Sequence, residues 1–361
     1  MRGAVLHTSP GELVVESLTV DKPNPNEVLI STSHAGLCHS DLHFMDGHWP
    51  VAESMVMGHE SAGVVAAVGE DVTYVKPGDH VITCVSMWCG VCRTCLQGKP
   101  YLCLDADSMR SGRPTPSLRF DDGRGCIAFA GLGSFAEELL VHERAVVKIR
   151  DEMPLDRAAL IGCGVTTGLG AVMRTAAVPA GSSVVVIGCG GIGLSAVQGA
   201  RIVGATPIIA VDLVASKLEM ARTLGATHTV NASETDPVAA VHEITGGGAD
   251  YSFEAIGLSA TAEQAWAMIG IGGTATVIGM LPMTSQVTIP GGEIILSEKK
   301  LQGSLMGGNR FRLDMPKFID LYLDGRLKLD EMVSATIGID EVNDGYAAMK
   351  AGETLRSVIA F

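Results

Sequence analysis

The stretch SSVVVIGCGGIGLSAVQGARIV, residues 182–203, decides the fold of this chain. It begins with a short run rich in Val and Ile, passes through a glycine-rich turn and continues in a pattern typical of a helix. The same alternation follows in PIIAVD (207–212), SKLEMARTLGA (216–226) and ADYSFEAIG (249–257). Buried-looking strands that alternate with helices are typical of a parallel sheet covered on both faces. We therefore predict an α/β domain with a doubly wound parallel sheet.

The glycine-rich turn has the spacing G-x-G-x-x-G, and its glycines are Gly188, Gly190, Gly191 and Gly193. Between a strand and a helix, such a turn lets a pyrophosphate approach the backbone at the positive end of the helix. Asp212 ends the next strand. A carboxylate there accepts hydrogen bonds from ribose hydroxyls and repels a 2′-phosphate, so the pattern predicts NAD rather than NADP. Lys217 is a second candidate for that ribose, and a solvated helix lysine is the alternative interpretation.

The sequence on either side of this domain has a different pattern. Before residue 160, short apolar runs such as EVLIST (27–32) and DHVITCV (79–85) alternate with turn signals, which is typical of a compact β structure. Near the end, helical patterns at 314–325 and 340–352 precede a closing strand, RSVIAF. The predicted domains are a β-rich domain over 1–164, the interrupting doubly wound domain over 165–307 and a tail over 308–361 that completes the first.

Composition and charge argue against several classes of protein. The chain has 361 residues, of which 47% are hydrophobic, and a formal net charge of −14. That charge argues against nucleic acid or an anionic membrane as the main partner. No apolar run reaches the roughly 18 residues needed to span a bilayer. The first residues are typical of a strand and a turn rather than of a signal peptide, so we expect a cytoplasmic protein.

Nine cysteines in a chain expected in a reducing compartment argue against disulfides as their main use. Four of them lie in the predicted lobe over residues 84–104: Cys89, Cys92, Cys95 and Cys103. Four thiolates at this spacing suit a closed tetrahedral zinc site. An iron–sulfur cluster, or four unrelated cysteines, are the alternatives, but nothing else in the sequence indicates electron transfer. We assign no role to Cys84, Cys126 and Cys189.

Three dispersed residues offer a second metal site. Cys38 lies in GLCHSDLH, His59 in MGHESAG and Cys163 in IGCGVTTG. Two thiolates and one imidazole leave the fourth position of a zinc ion open, which is typical of a catalytic site. Ser40 and His43 follow Cys38 closely, and a hydroxyl and an imidazole can pass a proton to solvent. Taken separately, these residues are ordinary buried cysteines, a turn hydroxyl and loop histidines.

Two acids flank these residues. Asp41 lies between Ser40 and His43, and Glu60 follows His59. Metal ligands usually need a neighbouring carboxylate that fixes their orientation, so both acids are candidates for that role. Ordinary loop acids are the alternative interpretation.

Together, these features resemble the zinc-containing medium-chain alcohol dehydrogenases over nearly the whole chain. The resemblance rests on GLCHSD, GHESAGVV, the four-cysteine lobe, GCGVTTG, GCGGIG with Asp212, and LRSVIAF. It implies a catalytic domain of GroES-like β fold, interrupted by a Rossmann domain that binds NAD. It also implies two zinc ions per subunit and the transfer of a hydride between an alcohol and NAD.

The resemblance assigns roles to individual residues. The ligands of the catalytic zinc would be Cys38, His59 and Cys163, and the four lobe cysteines would hold the structural zinc. Ser40 and His43 match a proton relay, and Glu60 matches an acid that can approach the zinc. Arg356 matches an arginine that contacts the cofactor phosphates. His39 stands where many relatives carry an arginine against the pyrophosphate.

The substrate and the oligomer follow from the same resemblance. Trp49 matches a position that often lines the substrate pocket, and Val85 stands where relatives often place an aromatic side chain near the zinc. A smaller side chain there widens the slot. We therefore predict primary alcohols, including bulky, aromatic or medium-chain ones. The long segment 104–136 resembles dimeric and actinobacterial forms, so we expect a homodimer through the Rossmann domains, with a homotetramer as the alternative.

Three alternative functions stay open. One is a nicotinoprotein, which keeps its NAD bound and regenerates it with a second, dye-like substrate. Another is an enzyme of the formaldehyde dehydrogenase type. The third is a non-catalytic redox sensor that binds NAD. A sensor would be expected to lack a catalytic ligand or the relay hydroxyl, and this sequence keeps all of them.

Overall fold

The computed structural model describes residues 1–110, 113 and 115–361. Its contacts divide the chain into two compact units. Unit 1 contains residues 1–163, 310–325 and 329–361, and unit 2 contains residues 164–309 and 326–328. The last short segment of unit 2 was not predicted from the sequence. It belongs there because the backbone of Lys328 forms two hydrogen bonds, of 2.7 and 2.9 Å, with the side-chain amide of Gln198.

The part of unit 1 that comes first in the chain consists of strands and short helices. The strands are β1 (Arg2–Leu6), β2 (Leu13–Val20), β3 (Glu27–Gly36), β4 (Met55–Val56), β5 (Ser61–Val68), β6 (His80–Thr83), β7 (Leu118–Phe120), β8 (Gly125–Ala128), β9 (Glu138–His142) and β10 (Val146–Lys148). The helices are α1 (His39–Met45), α2 (Arg93–Leu96), α3 (Ala106–Arg110) and α4 (Leu155–Leu160).

Unit 2 alternates strands with helices. Its strands are β11 (Val184–Ile187), β12 (Ile208–Asp212), β13 (His228–Asn231), β14 (Ala249–Glu254), β15 (Ile269–Val277) and β16 (Lys300–Gly303). Its helices are α5 (Thr166–Gly170), α6 (Gly191–Val203), α7 (Ala215–Leu224), α8 (Pro237–Thr245), α9 (Ser259–Met268) and α10 (Gly291–Leu296). The tail in unit 1 contains α11 (Phe311–Leu323), β17 (Val333–Ile337), α12 (Val342–Ala351) and β18 (Arg356–Ala360).

The strands of unit 1 form two sheets. One closes into a barrel in the order β1-β2-β7-β8-β4, and the other runs β10-β6-β5-β3-β18-β17, with β9 also paired to β3. In β3, Val28 and Ile30 are buried whereas Ser31 is exposed, the period-two pattern of a strand with one face in the core. Because β18 pairs with β3, the end of the chain completes a sheet that the beginning starts.

Unit 2 contains a parallel sheet in the order β13-β12-β11-β14-β15-β16. This is the strand order of a Rossmann fold, and the predicted doubly wound sheet is confirmed. All four residues of β11 are buried, because helices cover both faces of such a sheet.

One helical run, Leu155–Thr175, was not predicted from the sequence, since its glycines and β-branched residues are poor helix formers. Burial compensates for this low propensity. By length and composition alone, the run could cross a membrane. However, 83% of its apolar window is buried inside the protein, which is typical of a core helix.

Asp79, in the turn before β6, provides a test of stability. Its side chain is 6% exposed and accepts hydrogen bonds from Lys148 Nζ at 2.7 Å and from Lys76 Nζ at 3.1 Å. Burial acts to raise the pKa of this carboxyl, but the lysine and amide donors outweigh it and lower the pKa from 3.8 to about 2. A group with a lowered pKa stabilises the fold above its unfolded pKa and loses that contribution as the pH falls through its folded pKa.

We therefore expect Asp79→Asn to lower the free energy of unfolding by about 1–2 kcal/mol at pH 7, a range reduced because both lysines are partly exposed. The difference from the wild type should shrink between about pH 4 and pH 2. Urea unfolding across this pH range measures it. A difference that stays constant with pH would contradict the assigned ion pairs.

Candidate metal centres and dinucleotide site

Four cysteine sulfurs converge between β6 and β7. The Sγ atoms of Cys89, Cys92, Cys95 and Cys103 all lie within 4.8 Å of one another. Cys89 and Cys95 are 4.0 Å apart, and Cys92 and Cys103 are 3.9 Å apart. Zn–S bonds of about 2.3 Å at tetrahedral angles place two sulfurs roughly 3.8 Å apart. The four sulfurs therefore fit a zinc ion.

The surroundings of these sulfurs favour a bound cation. The Thr94 hydroxyl, followed by the backbone amides of Cys95 and Leu104, lowers the pKa of Cys92 to about 5. Burial, together with the neighbouring thiols of Cys92 and Cys103, raises the pKa of Cys95 to about 12. One thiol therefore releases its proton readily, while its neighbour resists further negative charge. A divalent cation removes that conflict, because it stabilises all four thiolates together.

Two arginines outside every predicted motif hold this lobe in place. Arg144 donates to the backbone carbonyls of Cys89 and Trp88, and its guanidinium lies 5.4 Å from the centre of the Trp88 ring. Arg312 stacks 3.7 Å from the Tyr74 ring and lies 5.7 Å from the Trp88 ring. The sequence contained no signal for these contacts, because they join segments far apart in the chain.

A second donor group is fully buried in unit 1. Ligand atoms of Cys38, His59, Glu60 and Cys163 lie within 4.8 Å of one another. Cys38 precedes α1, His59 and Glu60 precede β5, and Cys163 lies in the helical run after α4. A hydrogen bond between the two thiols lowers the pKa of Cys38 and raises that of Cys163. A zinc ion fits this donor set, since it prefers thiolate and imidazole ligands and stabilises the thiolates together.

A hydrogen-bonded chain orients His59. Its Nδ1 lies 3.1 Å from Asp41 Oδ1, and the Tyr346 hydroxyl donates to Asp41 Oδ2 at 3.0 Å. An imidazole that donates through Nδ1 presents its Nε2 lone pair to a metal. Asp41 thus occupies the orienting position expected from the sequence. Tyr346 was missed, because no local pattern connects α12 with residue 41.

Arg356 also lies in this pocket. It is 5% exposed, and its guanidinium forms an ion pair with Glu60. Burial acts to raise the pKa of Glu60, and the neighbouring Arg356 acts to lower it by stabilising the carboxylate. Gly36 leaves the room for this pair, because a Cβ there would lie 2.5 Å from Glu60 Oε2. The expected contact of Arg356 with cofactor phosphates stays a prediction.

The predicted relay residues lie on α1. Ser40 Oγ is 3.6 Å from Cys38 Sγ, and His43 is half-buried one turn later. The ring of His43 lies 5.7 Å from that of the exposed His48. Burial, and then the charge of His48, lower the pKa of His43. At pH 7 this imidazole is therefore mostly neutral and can accept a proton. His39, the first residue of α1, is exposed.

An aromatic row extends from His59. Its ring centre lies 5.7 Å from that of Phe129, Phe129 lies 4.8 Å from Phe44, and Phe44 lies 5.8 Å from Trp49. Trp49 is thus at the far end of an apolar wall that begins at a metal-ligand candidate. Phe129 was missed, because its long segment carries no motif. Val85 is half-buried and packs against a core cluster that draws residues from both sheets of unit 1, and its place in the substrate pocket stays a prediction.

The glycine-rich turn of unit 2 has the geometry of a phosphate-binding loop. Gly188 has a φ of +92°, which favours glycine, and a Cβ at Gly193 would lie 1.7 Å from the Gly188 carbonyl oxygen. A Cβ at Gly190 would meet nothing within 4 Å, so this backbone faces open space just before Gly191, the first residue of α6. A pyrophosphate fits there, at the positive end of the helix.

Asp212 lies at the end of β12, next to this turn. Its two carboxylate oxygens accept hydrogen bonds from the backbone N–H of Cys189 at 2.7 Å and of Val214 at 3.0 Å. Each oxygen keeps a lone pair for a further donor such as a ribose hydroxyl. Lys217 is half-buried in the first turn of α7. Cys84, Cys126 and Cys189 are buried, and burial raises the pKa of each thiol.

Comparison with known proteins gives consistent matches for both parts of the chain. Residues 24–151 match the alcohol dehydrogenase GroES-like domain, and residues 191–324 match the zinc-binding dehydrogenase family. The chain is 41% identical over 364 residues to an NDMA-dependent alcohol dehydrogenase of Amycolatopsis methanolica, a match that covers 99% of this chain and 98% of that protein.

Two solved structures resemble the whole chain. An alcohol dehydrogenase zinc-binding domain protein from Burkholderia ambifaria has a TM-score of 0.96 at 35% identity and covers 100% of this chain and 98% of its own. A benzyl alcohol dehydrogenase from Acinetobacter calcoaceticus has a TM-score of 0.92 at 32% identity, with 100% of this chain and 99% of its own covered.

The two donor groups predict a metal count. We expect the wild-type protein to retain two zinc ions per chain after dialysis, and Cys163→Ala to retain one, because only the buried group loses a thiolate. Atomic emission measures the zinc content. Cys84→Ala is the matched control, since this cysteine is buried outside both groups and should leave two ions. Two ions retained by Cys163→Ala would contradict the assigned ligands.

Proposed function

Because this chain belongs to the zinc-containing medium-chain alcohol dehydrogenases, we propose that it interconverts primary alcohols with bulky, aromatic or medium-length chains and their aldehydes. The protein is an NAD-dependent oxidoreductase. The observation that carries the proposed specificity is the convergence of Cys38, His59 and Cys163 next to the aromatic ring of Phe129.

The catalytic roles follow from the buried donor group. Cys38, His59 and Cys163 would hold a zinc ion, and that ion would supply the Lewis-acid chemistry that lowers the pKa of an alcohol hydroxyl. The overall reaction would transfer a hydride from the alcohol to NAD and release a proton to solvent. Ser40 accepts a proton next to Cys38, and the neutral imidazole of His43 passes it outward. The ion pair with Arg356 holds Glu60 beside the metal ligands.

The glycine-rich turn and Asp212 of unit 2 are the main residues that hold NAD in this proposal. The turn from Gly188 to Gly193 takes the pyrophosphate, and Asp212 accepts hydrogen bonds from the adenosine ribose. Lys217 is assigned to the same ribose and His39 to the pyrophosphate. Arg356 is assigned to the cofactor phosphates. To contact a phosphate, its guanidinium would have to leave Glu60, its buried partner, and breaking a buried ion pair is costly.

The preference for larger alcohols rests on the aromatic row. Phe129, Phe44 and Trp49 form an apolar wall that a benzyl or hexyl chain can cover, whereas ethanol reaches little of it. The solved benzyl alcohol dehydrogenase, which is 32% identical, supports the same substrate class.

We expect kcat/KM for benzyl alcohol and hexanol to exceed that for ethanol by about tenfold or more, because each buried methylene contributes about 0.8 kcal/mol. Steady-state assays of the desalted protein with NAD, and separately with NADP, measure this. Phe129→Ala should reduce the value for benzyl alcohol more than that for ethanol. Equal or higher efficiency with ethanol would contradict the proposed substrate class, and activity with NADP alone would contradict the role of Asp212.

A second candidate, a nicotinoprotein, is favoured by the 41% identity to a relative whose name states dependence on NDMA. The desalted protein distinguishes an enzyme with exchangeable NAD from a nicotinoprotein. A nicotinoprotein would carry nucleotide absorbance through desalting and would oxidise alcohols with NDMA and no added NAD. Addition of S-hydroxymethylglutathione to the substrate panel tests the formaldehyde dehydrogenase alternative.

We also propose a homodimer formed through unit 2, in a cytoplasmic protein. Strand β16 lies at one edge of the parallel sheet, where its outer backbone groups can pair with another strand. Nearby elements expose large apolar side chains, including Ile271 at 88%, Ile295 at 80% and Leu296 at 85%. A second copy of the chain would cover such surface.

Leu296→Glu should therefore convert the dimer into a monomer, because it places a charge in the proposed interface. Sedimentation equilibrium measures the mass. The control is Leu313→Glu, which adds the same charge at a leucine of unit 1 that is 57% exposed. If Leu296→Glu still sediments as a dimer, unit 2 is not the interface. A wild-type tetramer would show that a second interface exists.

A further inference from the structure

Tyr346 connects the C-terminal part of the chain with the buried donor group. It is 1% exposed, and its hydroxyl donates to Asp41 Oδ2 at 3.0 Å. Asp41 is itself fully buried, and its other carboxylate oxygen lies 3.1 Å from His59 Nδ1. The three side chains form a chain of hydrogen bonds that ends on a zinc-ligand candidate.

The helix that carries Tyr346, α12, is held in place by one buried face. In α12, Val342, Gly345, Tyr346 and Met349 are buried, which is the spacing of one helical face. A Cβ at Gly345 would lie 2.8 Å from the terminal methyl carbons of both Ile337 and Leu37, so glycine lets the helix approach this closely without displacing those side chains. The Tyr346 ring packs 6.3 Å from the Phe135 ring.

The hydroxyl does more than complete the packing. Asp41 has two oxygens in a site closed to water, and only one of them faces His59. If the second oxygen lost its donor, it would be a buried acceptor without a hydrogen bond, which costs free energy. The Asp41 carboxylate would then rotate towards another donor. The His59 ring would then lose the contact that fixes its tautomer and direction.

We propose that Tyr346 is a positioning residue for the catalytic zinc, and that its hydroxyl, acting through Asp41, sets how tightly His59 holds the ion. This inference rests on the proposed function, since it takes Cys38, His59 and Cys163 as the zinc ligands. The lobe zinc lies outside this chain of hydrogen bonds, so the effect is confined to one of the two ions.

Tyr346→Phe tests the proposal, because it removes the hydroxyl and keeps the ring. Zinc release from the holoenzyme is followed with a colorimetric chelator, and Cys163→Ala, which retains only the lobe zinc, identifies the lobe phase. We expect release of the catalytic zinc about tenfold faster than in the wild type, with the lobe phase unchanged. Tyr322→Phe is the matched control, since its hydroxyl also donates to a carboxylate, that of Asp330, at 3.0 Å. It should release both ions at the wild-type rates.

A double-mutant cycle tests the route through Asp41. In an Asp41→Asn background, the added Tyr346→Phe change should alter zinc release less than twofold. If Tyr346→Phe lowers the melting temperature but leaves both release phases unchanged, the hydroxyl only completes the packing and the proposal is wrong. The proposal is also wrong if the Tyr346→Phe effect is equally large with Asn at position 41. A wild-type protein that holds one zinc ion, or oxidises no alcohol, would instead contradict the proposed function.

Discussion

Buried negative charge needs compensation, and this requirement organises unit 1. Thiols and carboxyls that resist ionisation together in a dry pocket become compatible when a divalent cation lies between them. A hydrogen bond between the two thiols lowers the pKa of Cys38 and raises that of Cys163, and Arg356 brings a fixed positive charge to Glu60. The strands and helices around them hold these groups at distances that a zinc ion can satisfy. In the lobe, a divalent cation would compensate the charge of four thiolates that come from a single loop.

Unit 2 meets a related requirement without a metal. The phosphates of a dinucleotide carry negative charge, and the turn before α6 offers backbone N–H groups and the positive end of a helix. Glycine is needed there for two separate reasons. Gly188 adopts a backbone conformation that other residues avoid, and Gly193 allows the helix to pack against the strand. Binding of the dinucleotide phosphates therefore depends on the absence of a side chain at Gly188 and Gly193 as well as on the backbone N–H groups of the turn.

The sequence predicted the features that are local or repeated along the chain. The parallel sheet follows from apolar runs that alternate with helical patterns, and the lobe follows from four cysteines in one segment. The buried donor group was recognised from short motifs around Cys38, His59 and Cys163, read together with a family resemblance. Tyr346 and Phe129 were missed because their contacts join distant segments and carry no fixed spacing. The helical run Leu155–Thr175 was missed because tertiary burial overrides its weak helix propensity.

The two donor groups differ in the length of chain that must come together to build them. The four lobe cysteines lie in one short segment, so their sulfurs are brought together by local contacts. The buried group depends instead on Arg356 beside Glu60, on Tyr346 beside Asp41 and on the pairing of β18 with β3. Each of these contacts closes a loop of roughly 300 residues, and closing a loop costs chain entropy. The lobe therefore depends on one local loop, whereas the buried pocket depends on the cooperative folding of segments far apart in the sequence.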